Sequence, residues 1–426
     1  MTLPPPARRG TTAELRWDDL LATQAVEAVF QPIVELIGGT VVGFEALARG
    51  PAGSPYELPA ELFRAAYAAA RVPELDWQCR AAAYRAALAA GMPPTCTLFV
   101  NTEPVSLGVP CPAGLRAAVR AAEAQLRVVI EVTERAVARD PAGLLAGVAQ
   151  ARDAGWGVAL DDVGAEPSSL AVMPFVHPDI IKLDLRLIQG RSSPDVAQIV
   201  NAVQAQAERT GATILAEGIE TREHIRVARS MGATLGQGYW YGRPARLPDP
   251  LPPFTADSVA RVPLRPAPVV VPGGTPFSLI SAVRVTSEST KELLLPTCIH
   301  LENMALHTAE PVVLLACFED ARHFTPATRR RYARLVERTV LAGVLGVGVP
   351  EYPVPGVRWG QLDDADELRR EWNLVVLGPH FAAALVARDR GDGGPDGDRR
   401  FDAVITHDRE LVIAAGRLML RRLLAS

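Results

Sequence analysis

Val158-Ala159-Leu160-Asp161-Asp162, with Gly164 just beyond, is the stretch whose reading decides the fold. A short apolar run stopped by turn signals reads as a buried strand. Two carboxylates at its end destabilise the chain unless an opposite charge offsets them, and a metal cation commonly does. Outward from it, residues 97–101, 128–131, 180–184 and 213–217 repeat the form, each an apolar run with a polar end, and 236–240 closes the series. Helical periodicity fills the gaps at 115–126, 144–154, 195–209 and 222–231. Strands alternating with helices mean a parallel sheet, and about eight such units across roughly 230 residues predict a (β/α)8 TIM-like barrel.

The flanks follow from the same signals. Residues 1–12 are Pro- and Arg-rich and read as disordered. Residues 13–28 read as an amphipathic helix, and 30–36 with 41–49 as a hairpin about Gly38-Gly39. Prolines recur from 243 to 276, a semi-rigid linker or a draped connection. The predicted division is a barrel domain at 13–247, a linker at 248–275, and a smaller α/β domain at 276–426. The last has expected helices at 278–285, 297–306, 325–340 and 409–424, and expected strands at 311–316, 345–349, 374–377 and 401–405.

At 426 residues, 48 % hydrophobic and 22 % charged, the chain reads as a soluble globular protein of two or more domains. Its net charge of −4 gives no reason to expect a nucleic-acid duplex as partner. Five scattered cysteines without a C-x-x-C pair read as reduced thiols in a cytoplasmic compartment. The first ten residues hold two arginines and no apolar core, so they are no signal peptide, and no run reaches the roughly 18 apolar residues of a membrane span. Of 44 basic residues only Lys182 and Lys291 are lysines. Against that arginine background, each retained lysine asks for a reason.

The strand ends carry Glu45, Asn101, Glu131, Asp161 with Asp162, Lys182, Glu217 and Gln237. In a (β/α)8 barrel these ends converge on one face, where active sites lie. An all-oxygen ligand set selects hard cations, Mg²⁺ or Mn²⁺, and an aspartate able to bridge two ions suggests a two-metal phosphoryl displacement. Lys182 suits a charge-neutralising role there, as a compact ammonium. His300 and His307 lie two turns apart on one predicted helix and lack a third ligand.

These residues match a family. Phe44-Glu45-Ala46-Leu47-Ala48-Arg49, Gln31-Pro32, Val100-Asn101, Glu131-Val132-Thr133-Glu134, Leu160-Asp161-Asp162, Ile181-Lys182-Leu183-Asp184, Ala216-Glu217-Gly218-Ile219-Glu220 and Gln237-Gly238 resemble, in family order, the EAL domain of cyclic-di-GMP phosphodiesterases. The resemblance implies hydrolysis of cyclic di-GMP to pGpG with two Mg²⁺ or Mn²⁺ ions. Glu45, Asn101, Glu131 and Asp161 would hold the first ion, and Asp161 with Asp162 the second, beside Glu217 as ligand or base. Lys182 and Gln237 would position the water. Gln31, Leu47 and Arg49 would contact the dinucleotide, and Glu134 and Glu220 would support the ligands. It also implies a homodimer paired near Asp162. Residues 276–426 resemble, more loosely, the DICT sensory domain, which implies regulation by an unknown ligand or protein.

One segment departs from the family pattern. Where active members read D-D-F-G-T-G-Y-S-S, this chain reads Asp161-Asp162-Val163-Gly164-Ala165-Glu166-Pro167-Ser168-Ser169. That leaves an alternative expectation, an inactive EAL domain acting as a cyclic-di-GMP receptor or a protein-interaction module. The retained Glu45, Asp161, Asp162, Lys182 and Glu217 favour the enzyme.

Overall fold

The structure is a computed structural model that describes residues 16–133, 140–165, 169–265, 274–348, 350–392 and 395–423. The first part is a closed eight-stranded barrel in chain order: β1 (Glu27–Glu35), β2 (Val41–Arg49), β3 (Thr97–Asn101), β4 (Arg127–Thr133), β5 (Gly157–Val163), β6 (Ile180–Leu183), β7 (Thr213–Ala216) and β8 (Leu235–Gln237). Every neighbouring pair from β2 to β8 is parallel, but β1 runs antiparallel to both β2 and β8. The barrel is therefore not wholly parallel, because the Gly38-Gly39 turn is too short for the crossover that a parallel pair needs. The predicted helix 13–28 contracts to Trp17–Thr23, and β1 takes up residues from Glu27 onward. Pro32 falls one residue outside the stretch of β1 paired with β8, where a missing N–H is tolerated. The expected disorder of residues 1–12 lies outside the described residues.

The proline-rich segment is a draped connection as far as residue 265. Val262 is fully buried in the barrel beside Ile33, Val42, Phe99 and Val129. The Arg127 guanidinium donates to the Val262 carbonyl, and the Arg265 N–H donates to Asp179 at 2.9 Å. That segment plugs the end where the parallel strands begin. The other end is left for the site. Among the described residues no helix is long and apolar enough to cross a membrane.

The second part is a seven-stranded sheet of β9 (Ser287–Thr290), β10 (Val312–Asp320), β11 (Thr339–Val347), β12 (Val357–Gln361), β13 (Glu371–Leu377), β14 (Ala382–Asp389) and β15 (Arg400–Thr406), ordered β12-β11-β10-β13-β14-β15-β9. The expected helix 325–340 stops at Leu335, and Thr339 already belongs to β11. Strand β14 was not expected, since Ala382-Ala383-Ala384 carries little β propensity and only burial on both faces makes it a strand. The helix Lys291–His307 begins ahead of Pro296 rather than after it. The proline costs one intrahelical bond, which burial of Leu294, Cys298, Leu301 and Ala305 offsets.

The two parts share a core. The sheet face bearing Val313, Leu315 and Cys317 is covered by the helices Pro276–Ser281 and Arg409–Leu420, in one apolar cluster with the barrel helix Ser169–Val176. Arg417 is buried there, donating from Nε to the Phe175 carbonyl (2.9 Å) and from Nη2 to the Pro174 carbonyl (3.1 Å). Those carbonyls close a helix C-terminus, where the last groups lack partners within the helix. A guanidinium from the second domain thus caps the helix that follows Asp161-Asp162.

Candidate active site

Lys182 organises the open end of the barrel. Its side chain has no exposed surface. Nζ lies 2.7 Å from Glu131, 2.9 Å from Glu217, 3.0 Å from Asp161 and 3.5 Å from Glu45. Glu45 stands midway along β2, Glu131 and Asp161 near the ends of β4 and β5, and Glu217 just past β7, and barrel closure brings the four together. Glu45 is linked twice more: Asn101 Nδ2 donates to Oε1 at 2.8 Å and Gln237 Nε2 donates to Oε2 at 2.6 Å. Gln237 Nε2 also donates to Gln31 Oε1 at 3.0 Å, and Gln31 in turn donates to the Gly242 carbonyl.

Adjacent residues on a strand point to opposite faces, so Asp161 and Asp162 should not share a site. The backbone resolves this. The β5–β6 register shifts between Leu160 and Val163, and Asp162 adopts φ 57°, a left-handed conformation that aspartate tolerates. Carboxylate oxygens of Asp161, Asp162 and Glu217 then lie within 4.8 Å of one another. Gly238 fixes the opposite wall. A Cβ there would meet the Ile219 backbone at 2.1 Å, so only glycine lets the chain pass and hold Gln237 in place.

Four carboxylates around one ammonium leave negative charge in excess, and the pKa shifts register it. Burial opposes ionisation of Glu45, yet Lys182, Gln237 and Asn101 hold it below the usual carboxylate range. Burial, then the Glu45 charge, pushes Glu131 well above that range. Burial likewise opposes the Lys182 charge, but Asp161, Glu131, Glu217 and Glu45 hold its pKa well above the ordinary lysine value. Burial raises Glu217 to about 8, against the pull of Lys182. Glu131 Oε2 is buried without a hydrogen-bond partner among the described residues. An orphaned carboxylate oxygen in a surplus of hard oxygen donors fits divalent cations.

A pH signature follows for Glu217. Its folded pKa is raised, so its contribution to the stability of the cation-free chain is full below the ordinary carboxyl range and lost as pH rises through about 8. Cation binding must expel that proton. Mg²⁺ affinity is expected to rise with pH by up to about tenfold per unit between pH 6 and 8 and to level off above. Calorimetry at pH 6.5 in two buffers of different ionisation enthalpy should detect the released proton; identical heats would refute the assignment.

The other sequence-derived candidates fall into three groups. Leu47 lines a 260 Å³ cavity beside the carboxylates, with Glu45, Phe63, Arg80 and Asn101. Arg49 ends β2, its Nη1 donating to the Ala48 carbonyl at 2.7 Å. Glu220 is exposed, and among the described residues its side chain makes no hydrogen bond or ion pair, so the structure does not bring it into the network. Glu134 and residues 166–168 of the altered loop lie outside the described residues. Within that loop Val163 is buried on β5, and Gly164 (φ 99°) packs where a Cβ would strike Leu187. Sequence reasoning missed Arg417, whose partners lie 242 and 243 residues away and leave no local signal.

The EAL domain model matches residues 14–244, and the model for the sensory domain in diguanylate cyclases and two-component systems (DICT) matches residues 280–390. The chain is 33 % identical over 234 residues to the cyclic di-GMP phosphodiesterase RocR of Pseudomonas aeruginosa, covering 51 % of this chain and 57 % of that protein. It is 32 % identical over 121 residues to the probable cyclic di-GMP phosphodiesterase PdeG of Escherichia coli, covering 28 % and 24 %. The chain thus spans little more than half of the first relative's length and a quarter of the second's. A calcium and cyclic di-GMP complex of Klebsiella pneumoniae BlrP1 is similar over 52 % of this chain and 56 % of that one, at 34 % identity and a TM-score of 0.46.

Proposed function

This chain belongs to the EAL domain family through residues 14–244, and from that premise we propose that its barrel is a metal-dependent phosphodiesterase hydrolysing cyclic di-GMP to pGpG under control of its DICT domain. The observation that carries the reading is Lys182 set among Glu45, Glu131, Asp161 and Glu217 at the open barrel end. Glu45, Asn101, Glu131 and Asp161 would hold one Mg²⁺ or Mn²⁺, and Asp161 with Asp162 a second, beside Glu217. Two such ions, when bound, polarise the phosphate and neutralise charge on the attacking and leaving oxygens.

The chain's own groups do the rest. Glu217, ionised once cations are bound, takes the proton of the attacking water as its oxygen bonds to phosphorus. The bond from phosphorus to the 3′ oxygen breaks, and that oxygen gains a proton, leaving a 5′ phosphate and a 3′ hydroxyl. Lys182 offsets the negative charge that gathers on the phosphoryl oxygens, and Gln237 holds Glu45 in register. Leu47 lines the cavity that would receive the nucleotide, and Arg49, at the end of β2, would contact it. The five cysteines are unpaired, which supports a reducing, cytoplasmic setting. Purified full chain with Mg²⁺ and then Mn²⁺ should convert cyclic di-GMP to pGpG. Binding without turnover would sink the enzyme reading and leave a receptor.

Control runs through Arg417. The helix Ser169–Val176, which the family resemblance assigns to pairing between copies, is covered here by the chain's own helix Arg409–Leu420. We read that docked helix, rather than a second copy, as the element ordering the segment after Asp162. Arg417→Ala removes the cap on Pro174 and Phe175. The Mn²⁺ concentration for half-maximal rate should then rise about tenfold or more, as when supports behind metal ligands are lost. An unchanged Mn²⁺ dependence would show that the docked helix does not act on the ion site.

A further inference from the structure

The second lysine has no part in the barrel chemistry. Lys291 opens the helix Lys291–His307 at the mouth of a 340 Å³ cavity on the sheet face turned away from the barrel. We propose that this cavity is a binding site for a small aromatic carboxylate, with Lys291 as the group that takes its anion.

The walls define the ring. Phe318, Trp372 and Phe401 line the cavity from β10, β13 and β15, with Cys298 and Leu295 from the helix above. Trp372 and Phe401 meet edge to face with centroids 5.8 Å apart, and their burial in the core beneath holds these rings in place. Its volume lies at the lower end of small-molecule sites, enough for one ring or a fused pair. The backbone is specially shaped here, as it is at Asp162. Glu319 has φ 61°, and the β10–β11 register shifts between Cys317 and Asp320. Alternation is broken, and consecutive Phe318 and Glu319 both line the cavity. A non-glycine residue held left-handed is a feature that binding sites retain.

The charges define the anion. Three permanent cations line the cavity. Arg331 pairs at 2.5 Å with Glu302, whose side chain has no exposed surface. Arg399 is held by Glu319 at 2.8 Å and Asp389 at 2.5 Å, both largely buried. Lys291 pairs with Asp396, whose side chain is 68 % exposed. An incoming group can therefore exchange with Asp396, which faces Lys291 and, at 3.8 Å, Arg399, without uncovering a buried charge, whereas Glu302, Glu319 and Asp389 hold the two arginines from the buried side. An arriving cation would have to compete for Glu319, already bound by Arg399 and facing His323 at 3.4 Å, or for Asp396, already paired with Lys291. The first turn of the helix Pro326–Leu335 also lines the cavity through Ala327 and Thr328, adding the positive end of a helix dipole.

The test is calorimetry of the full chain with indole-3-acetate, its neutral amide, and tryptamine, and it reads binding whether or not the barrel turns over substrate. Indole-3-acetate should bind at one site, with the amide and tryptamine at least about tenfold weaker. Lys291→Gln, a change at a partly exposed position, should weaken indole-3-acetate about tenfold. Asp396→Asn, which frees the ammonium, should tighten it. The proposal is overturned if neither indole-3-acetate nor benzoate binds, if the amide or tryptamine binds as tightly as the acid, or if Lys291→Gln leaves the affinity unchanged.

Discussion

Glu45→Ala is expected to reduce cyclic di-GMP hydrolysis by at least about 10³-fold, the scale on which loss of a group that stabilises developing charge is felt. The position explains the size. One carboxylate meets Lys182 at 3.5 Å, Asn101 at 2.8 Å and Gln237 at 2.6 Å, so removing it unseats three neighbours at once. Lys182, Gln237 and Asn101 hold it below the usual carboxylate range, against burial, so it carries its charge at neutral pH. The cavity bounded by Leu47 and Phe63, proposed to receive the dinucleotide, keeps its other walls. Rate and affinity should therefore separate, with turnover lost and binding of cyclic di-GMP largely kept. Retained turnover in Glu45→Ala would rule out the proposed ion site.

Lys182→Met tests the other half of the balance. The side chain is fully buried, and its ammonium compensates Glu131, Asp161, Glu217 and Glu45. Stripping one partner from a buried ionic cluster costs about 3–5 kcal/mol. The melting temperature in chelator should fall by roughly 10 °C, taking a few degrees per kcal/mol for a domain of this size. Saturating Mn²⁺ should recover part of the loss, because divalent cations answer the same surplus charge, while turnover stays absent. A melting temperature unchanged in chelator would mean that the acids do not depend on Lys182 for their balance.

Much of the barrel was legible because its signals are local and repeated. Apolar runs ending in polar residues mark Thr97–Asn101, Ile180–Leu183 and Thr213–Ala216 within a residue or so. The smaller domain was less legible. Ala382–Asp389 reads as neither strand nor helix by propensity, and the Thr339 end of β11 was absorbed into a helix pattern. In both places, hydrogen bonds to strands distant in sequence decide the outcome.

The sequence alone determined the family, the barrel and the candidate residues, because strand ends in a barrel converge whatever the details of packing. It also singled out Lys182 and Lys291 by their rarity. Tertiary structure alone decided that Lys182 touches four acids, that a left-handed Asp162 brings consecutive carboxylates together, and that Val262 plugs the barrel. It likewise decided that Arg417 caps a helix 242 residues earlier. Periodicity reports which face of an element is buried. What lies against that face depends on long-range packing, which no local pattern encodes.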